Sequence, residues 1–240
     1  MKVKPRRLYV ALEGIDGIGK TTQIEAITNK LVSLGFPREN IVHVKEPWEG
    51  SLITKLLREE YLSGKTKASD SVIQQLMAAA RTDMFDKYLD HIEDTIEGPA
   101  YIILSDRCIL SSMAYYNGSL HDIFNFNINI MDRESTRIPD CIVLFTANQE
   151  IIQSRMDSRE NHEIFEDVNK LLEIQRNYNF ARDFIHDHQG TRGMIKLYRA
   201  LEVVSTVSID DKTKAKSVEE ITDDTIDVIR HIASENGIEL

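Results

Sequence analysis

Apolar runs and amphipathic stretches alternate along this chain. The runs are RLYVALE (7–13), IVHVK (41–45), AYIILSD (100–106), CIVLF (141–145) and VVSTVSI (203–209). Each is short enough for a buried strand. Helical spacing fills the gaps at 51–62, 70–95, 110–117, 148–157, 163–187 and 217–234. A further helix follows the first run, where Ile24, Ile27, Leu31 and Leu34 recur and Gly35 stops the pattern. Strands alternating with helices predict parallel strands joined by crossovers. The expected fold is α/β: a doubly wound, five-stranded parallel sheet with helices on both faces. No internal repeat and no Pro/Gly/Ser-rich linker interrupts the 240 residues, so a single domain is expected. The stretch 187–202, DHQGTRGMIKLYRALE, follows neither period and reads as a possible insertion before the last strand.

Composition narrows the partners. Hydrophobic residues are 42% and charged residues 28% of the chain, ordinary values for a globular domain. The formal net charge of −10 argues against a broad nucleic-acid footprint, because phosphate backbones attract basic surfaces. Lys2, Lys4, Arg6 and Arg7 read as a solvated basic tail. The apolar stretch behind them is too short for a signal-peptide core and closes in Glu13. No run is long enough to span a membrane, so no membrane partner is expected. Cys108 and Cys141 lie in or beside strand-like runs and read as reduced thiols of a cytoplasmic protein.

The chemistry begins at EGIDGIGKTT, residues 13–22, which contains the pattern G-x-x-x-x-G-K-[ST] from Gly14 to Thr21. A strand precedes it and a helix follows, as a phosphate cradle requires. Glycines such as Gly14, Gly17 and Gly19 let backbone N–H groups turn inward, and the helix N-terminus adds partial positive charge. Lys20 would reach the β- and γ-phosphates of ATP, with Thr22 beside it, and Thr21 would offer its hydroxyl to Mg²⁺.

Ligands of such sheets bind beyond the carboxyl ends of the strands. Asp106 closes the third run, where a carboxylate beside a phosphate loop can hold Mg²⁺, and Arg107 follows it. Arginine suits a phosphate, since its planar fork pairs two oxygens. SRMDSRE places Arg155 and Arg159 four apart on one helical face, and a mobile lid of that kind can bring arginines to a transferring phosphoryl group. QQLMAAARTD places Met77 and Arg81 four apart in the same way.

In this order the motifs resemble the thymidylate kinase family of P-loop nucleoside monophosphate kinases. The resemblance runs through EGIDGIGKTTQ, the EP at Glu46–Pro47, QLMAAAR, SDR with SSMAYYNG, the PD at Pro139–Asp140, SRMDSRE in lid position and QRNYNFA at 175–181. It implies a P-loop NTPase fold with a helical lid at about 153–166, ATP and Mg²⁺ as cofactors, dTMP or a related pyrimidine deoxynucleotide as substrate, and a homodimer. It also implies roles. Asp16 would hydrogen-bond the sugar 3′-hydroxyl, and Arg81 would contact the thymine edge. Arg107 would bind the acceptor phosphate, with Asp106 near Mg²⁺. Ser112 falls at a base contact, Tyr115 where a ring crowds the 2′ position, and Glu46 in the substrate-side EP motif. Gly17 stands where some members carry a loop arginine, so Arg155 and Arg159 would supply that charge.

Three departures stand out. Met77 replaces the aromatic ring that stacks on thymine, EPWEG replaces EPGG, and the lid reads Glu163-Ile164-Phe165-Glu166 without its arginine. Other readings follow from the same residues. A deoxynucleoside monophosphate kinase of broader base choice is the nearest. A deoxynucleoside kinase would need a general base for a hydroxyl acceptor. A regulatory nucleotide-binding module would leave Lys20, Thr21, Asp106 and Arg107 without a task. A GTPase switch should show N-K-x-D after a late strand, and CIVLFTANQE lacks it.

Overall fold

Strands β1 (Arg6–Glu13), β2 (Ile41–Lys45), β3 (Ala100–Asp106), β4 (Cys141–Thr146) and β5 (Leu201–Ser205) form one parallel sheet in the order β2-β3-β1-β4-β5. The structure is a computed structural model and describes residues 4–127, 130, 137–157, 168–190, 192–208 and 210–240. β1 lies at the centre because its successive residues Leu8 to Leu12 are all apolar. Each is at most 1% exposed, so both faces of the sheet are covered there.

Nine α-helices are described: α1 (Lys20–Ser33), α2 (Leu52–Leu56), α3 (Asp70–Met84), α4 (Ile109–Tyr115), α5 (Leu120–Phe126), α6 (Gln149–Asp157), α7 (Val168–Asp187), α8 (Arg192–Ala200) and α9 (Val218–Glu235). α1 buries Ile24, Ile27 and Leu31 at the expected spacing. It ends in a glycine turn, with Gly35 at φ 99 and Phe36 N–H donating to the Leu31 carbonyl. Leu34 caps the helix instead of joining its buried stripe. α3 starts at Ser69, whose hydroxyl accepts from Val72 N–H. α9 starts at a reciprocal Ser217–Glu220 box. Each such cap is worth about 1 kcal/mol.

The structure corrects the sequence reading in four places. α2 and α3 do not run on as plain α-helix: each continues as a wider π turn, over Leu57–Leu62 and Phe85–Leu89, and a short 3₁₀ turn covers Ile92–Thr95. α5 lacks a helical apolar pattern, because Leu120 and Ile123 are its only buried residues. The stretch 187–202, read as a possible insertion before the last strand, carries elements that its pattern did not predict. It holds α8, which buries Met194, Leu197 and Ala200, and it runs into β5 without a break. β5 also begins two residues earlier than expected. It is an edge strand with Val204 as its buried side chain, so hydrophobic pattern is a weak guide to its bounds.

Candidate active site

The phosphate loop joins β1 to α1 at the carboxyl edge of the sheet. Gly14 adopts φ 135, and a Cβ there would lie 2.8 Å from the Phe145 carbonyl oxygen of β4. Only glycine fits that approach. Gly19 sits at φ 101 just ahead of α1 and gives the helix no side-chain cap, so the first N–H groups of α1 stay open to an anion. Lys20 is buried and folds back over the loop, its Nζ 3.0 Å from the carbonyl oxygens of Gly14 and Ile15. Burial, reinforced by the neighbouring Arg107 cation, lowers its pKa to about 8. Thr21 and Thr22 stand exposed on the first turn.

Asp106 ends β3 opposite this turn. Its Oδ2 accepts from the Thr21 hydroxyl at 3.5 Å, and Lys45 Nζ lies 3.9 Å away. Its Oδ1 is buried without a hydrogen-bond partner among the described residues. A hydroxyl and a carboxylate oxygen left unsatisfied suit a hard divalent cation, so these residues fit Mg²⁺.

Arg107 follows Asp106 with φ 80, a conformation L residues adopt at a cost of order 1–3 kcal/mol. The surroundings hold it there. Nη1 reaches Ser111 Oγ at 2.8 Å, Tyr178 OH at 3.2 Å and the Gly14 carbonyl at 3.4 Å. Nη2 meets Asp16 Oδ1 at 2.5 Å and Tyr115 OH at 3.3 Å. Tyr115 also donates to Asp16 Oδ2 at 3.0 Å. Burial works to raise the Asp16 pKa, but Arg107 and Lys20 outweigh it and leave the carboxyl below its usual value.

Beneath Arg107 lies Glu13, fully buried at the end of β1. One oxygen accepts from the N–H groups of Cys108 and Ser111 at 2.8 and 3.0 Å. The other accepts from the Ser111 and Tyr178 hydroxyls at 2.6 and 2.9 Å. Glu13 thus ties β1, the start of α4 and α7 together. Sequence reasoning gave no role to Glu13, Ser111 or Tyr178. A carboxylate closing an apolar strand was the available signal for Glu13.

Arg81 is wired differently. Its guanidinium is 5% exposed and faces Glu46, itself 6% exposed, with Nε and Nη2 at 2.6 and 2.5 Å from the same oxygen, Oε2. Nη2 also reaches Ser112 Oγ at 3.2 Å, and Nη1 donates to Asn127 Oδ1 at 2.6 Å. Burial opposes the charge on Arg81, and Glu46 more than restores it, so the guanidinium stays protonated. Asn127 carried no sequence signal. Met77 lies one helical turn before Arg81 and is half-buried.

Of the two expected lid arginines, Arg155 is on α6 and donates through Nη1 to the Ile18 carbonyl of the phosphate loop. Arg159 and the 163–166 segment lie outside the described residues. The bulky Trp48 of EPWEG stacks on Tyr88, with ring centroids 5.8 Å apart and planes 6° from parallel. Cys108 and Cys141 are both buried and unpaired, and burial raises both thiol pKa values, that of Cys141 to about 12.

The site therefore gathers Asp16, Lys20, Thr21, Asp106, Arg107, Tyr115 and Arg155 around one loop, and groups Glu46, Arg81 and Ser112 beside it. The thymidylate kinase family model matches residues 12–185. A protein described as a probable thymidylate kinase from Methanosphaera stadtmanae is 31% identical over 178 residues, covering 71% of this chain and 86% of that protein. A thymidylate kinase from Helicobacter pylori is 31% identical over 176 residues, covering 71% and 79%. The crystal structure of thymidylate kinase from Ehrlichia chaffeensis shares the fold, with TM-score 0.61 at 20% identity over 94% of this chain and all of that one. The solved thymidylate kinase from Candida albicans shares it too, with TM-score 0.64 at 18% identity over 96% and 93%. The chain belongs to the thymidylate kinase family of phosphotransferases.

Proposed function

We propose that this chain transfers the γ-phosphoryl group of ATP to the 5′-phosphate of dTMP, giving ADP and dTDP, and that its charged residues divide the work between phosphate and base. The observation that carries this is Arg107, pinned at a positive φ within 3.4 Å of the Gly14 carbonyl at the mouth of the phosphate loop. A nucleotide acceptor already carries an anionic oxygen, so the reaction needs a cation at the acceptor and no general base for a hydroxyl. That oxygen attacks the γ-phosphorus in line, and catalysis is positioning plus charge stabilisation.

Lys20 leaves the loop carbonyls it now caps and follows the negative charge between the β- and γ-phosphates. Thr21 and Asp106 would hold Mg²⁺, which neutralises charge on the phosphate oxygens when bound. Arg107 binds the acceptor phosphate. Asp16, released from Arg107, accepts from the sugar 3′-hydroxyl, and the Tyr115 ring crowds the 2′ position. Arg81 donates to a pyrimidine carbonyl, Ser112 stands beside it, and Met77 lies under the ring, giving dispersion contact without a fixed stack. Arg155, together with Arg159 of the 153–166 lid, supplies the charge that Gly17 lacks. We read the 240 residues as one domain of a cytoplasmic homodimer. Among the described residues no helix is long and apolar enough to cross a membrane.

A coupled ADP-release assay across the deoxy- and ribonucleoside monophosphates tests the reading. dTMP should be preferred, dUMP measurably accepted, and purines and UMP poor. A kcat/KM for dGMP or UMP above that for dTMP would overturn the assignment to thymidylate.

A further inference from the structure

Arg81 has five N–H hydrogens, and its neighbours use four of them. Nε and one Nη2 hydrogen go to Glu46, the other Nη2 hydrogen goes to Ser112, and one Nη1 hydrogen goes to Asn127. The fifth, also on Nη1, has no partner among the described residues. The nitrogen that carries it is the one Asn127 holds.

Asn127 is itself fixed. It is 1% exposed at the end of α5, where its backbone N–H donates to the Ile123 and Phe124 carbonyls, both at 3.1 Å. Its Nδ2 donates to the Ile123 carbonyl at 2.8 Å. Arg81 only donates, so the amide oxygen must face the guanidinium, and no flipped form satisfies both neighbours. The helix end therefore sets the amide, and the amide sets the plane of the guanidinium.

We propose that Asn127 is a positioning residue for base selection: it aims the last Nη1 hydrogen of Arg81 so that the guanidinium reads a carbonyl at the pyrimidine 4-position. Thymine and uracil offer an acceptor there. Cytosine offers an amino group, which leaves the buried donor unpaired. This rests on the reading that Arg81 faces the base.

The test is the ratio of kcat/KM for dTMP over dCMP, which cancels the fraction of protein that folds. Asn127→Ala should lower that ratio roughly tenfold, the worth of one charge-assisted hydrogen bond, with KM for ATP unchanged. Asn127→Ser keeps a polar group at the helix end but is too short to reach Arg81. It should lose the ratio in the same way and decides the matter if the alanine variant does not fold. Asn127→Asp keeps the acceptor while losing the bond to Ile123, so it should melt lower yet hold most of the preference. Arg81→Ala is measured alongside. If it collapses the ratio while Asn127→Ala and Asn127→Ser leave it intact, the inference about Asn127 falls and the role of Arg81 stands. If Arg81→Ala leaves the ratio unchanged, the reading of Arg81 fails and the inference fails with it.

Discussion

Arg81 and Arg107 both hydrogen-bond side chains of α4, yet they keep opposite company. Arg81 faces a carboxylate as buried as itself, an amide and a hydroxyl. Arg107 faces three hydroxyls and one carboxylate, Asp16, whose side chain is 56% exposed. A buried counter-ion cancels the charge at Arg81 and leaves hydrogen-bond direction as its remaining information. An exposed counter-ion can swing away, so Arg107 keeps a charge to offer. On the proposed function, one residue type would thus serve as a reader of shape at the base and as a partner of charge at the phosphate. Charge attracts any nucleotide, whereas a directed donor distinguishes one base from another.

The largest test of the charged end is Lys20→Met. It removes the cation proposed to follow the transferring phosphoryl group and should lower turnover by roughly 10³-fold or more, with the fold retained by circular dichroism. Turnover within a few-fold of the parent would remove this loop from the catalytic account.

Arg155→Ala should act more gently, lowering kcat by about tenfold while KM for dTMP changes less. That is the signature of a contact made mainly in the transition state. An unchanged kcat would place the missing loop charge elsewhere.

Acid–base titration probes the same end without substrate. Lys20 in the folded chain has a pKa of about 8 against an ordinary 10.5, because burial disfavours its charge. Between those values the unfolded chain holds a proton that the folded chain has lost. Lys20 therefore makes stability rise with pH across that window, and the contribution disappears as pH falls through about 8. The melting temperature of the parent minus that of Lys20→Met should climb from pH 8 to 10.5. A flat difference would show that the lysine is not desolvated.

Tyr115→Phe should change least, within about twofold for dTMP, since its hydroxyl shares Asp16 with Arg107. Tyr115→Ala should instead raise kcat/KM for UMP if, as proposed, the ring and not the hydroxyl excludes the 2′ position. A larger effect from Phe than from Ala would reverse that assignment.

How much of this contrast the sequence carried depends on distance along the chain. The phosphate loop, Asp106 and Arg107 are legible because each follows directly from a strand end, and periodicity located β1 to β4. The wiring of Arg81 joins residues 35 and 46 positions away, and no local period records such pairs. Asn127 sits at the end of a seven-residue helix too short to show its own pattern. Glu13 was visible as a charge closing an apolar run, but its four donors, on Cys108, Ser111 and Tyr178, come to it from the start of α4 and from α7 only once the chain is folded. β5 was misplaced because an edge strand with one buried side chain obeys no apolar rule.

The central claim is that Arg107 answers to the phosphate and Arg81 to the base. Calorimetric binding of thymidine and of dTMP to the parent, Arg81→Ala and Arg107→Ala tests it most directly. Arg107→Ala should erase most of the advantage of dTMP over thymidine and leave thymidine affinity nearly intact. Arg81→Ala should weaken both ligands by the same factor. The claim would be contradicted if Arg81→Ala narrowed the gap between dTMP and thymidine, or if Arg107→Ala weakened both alike.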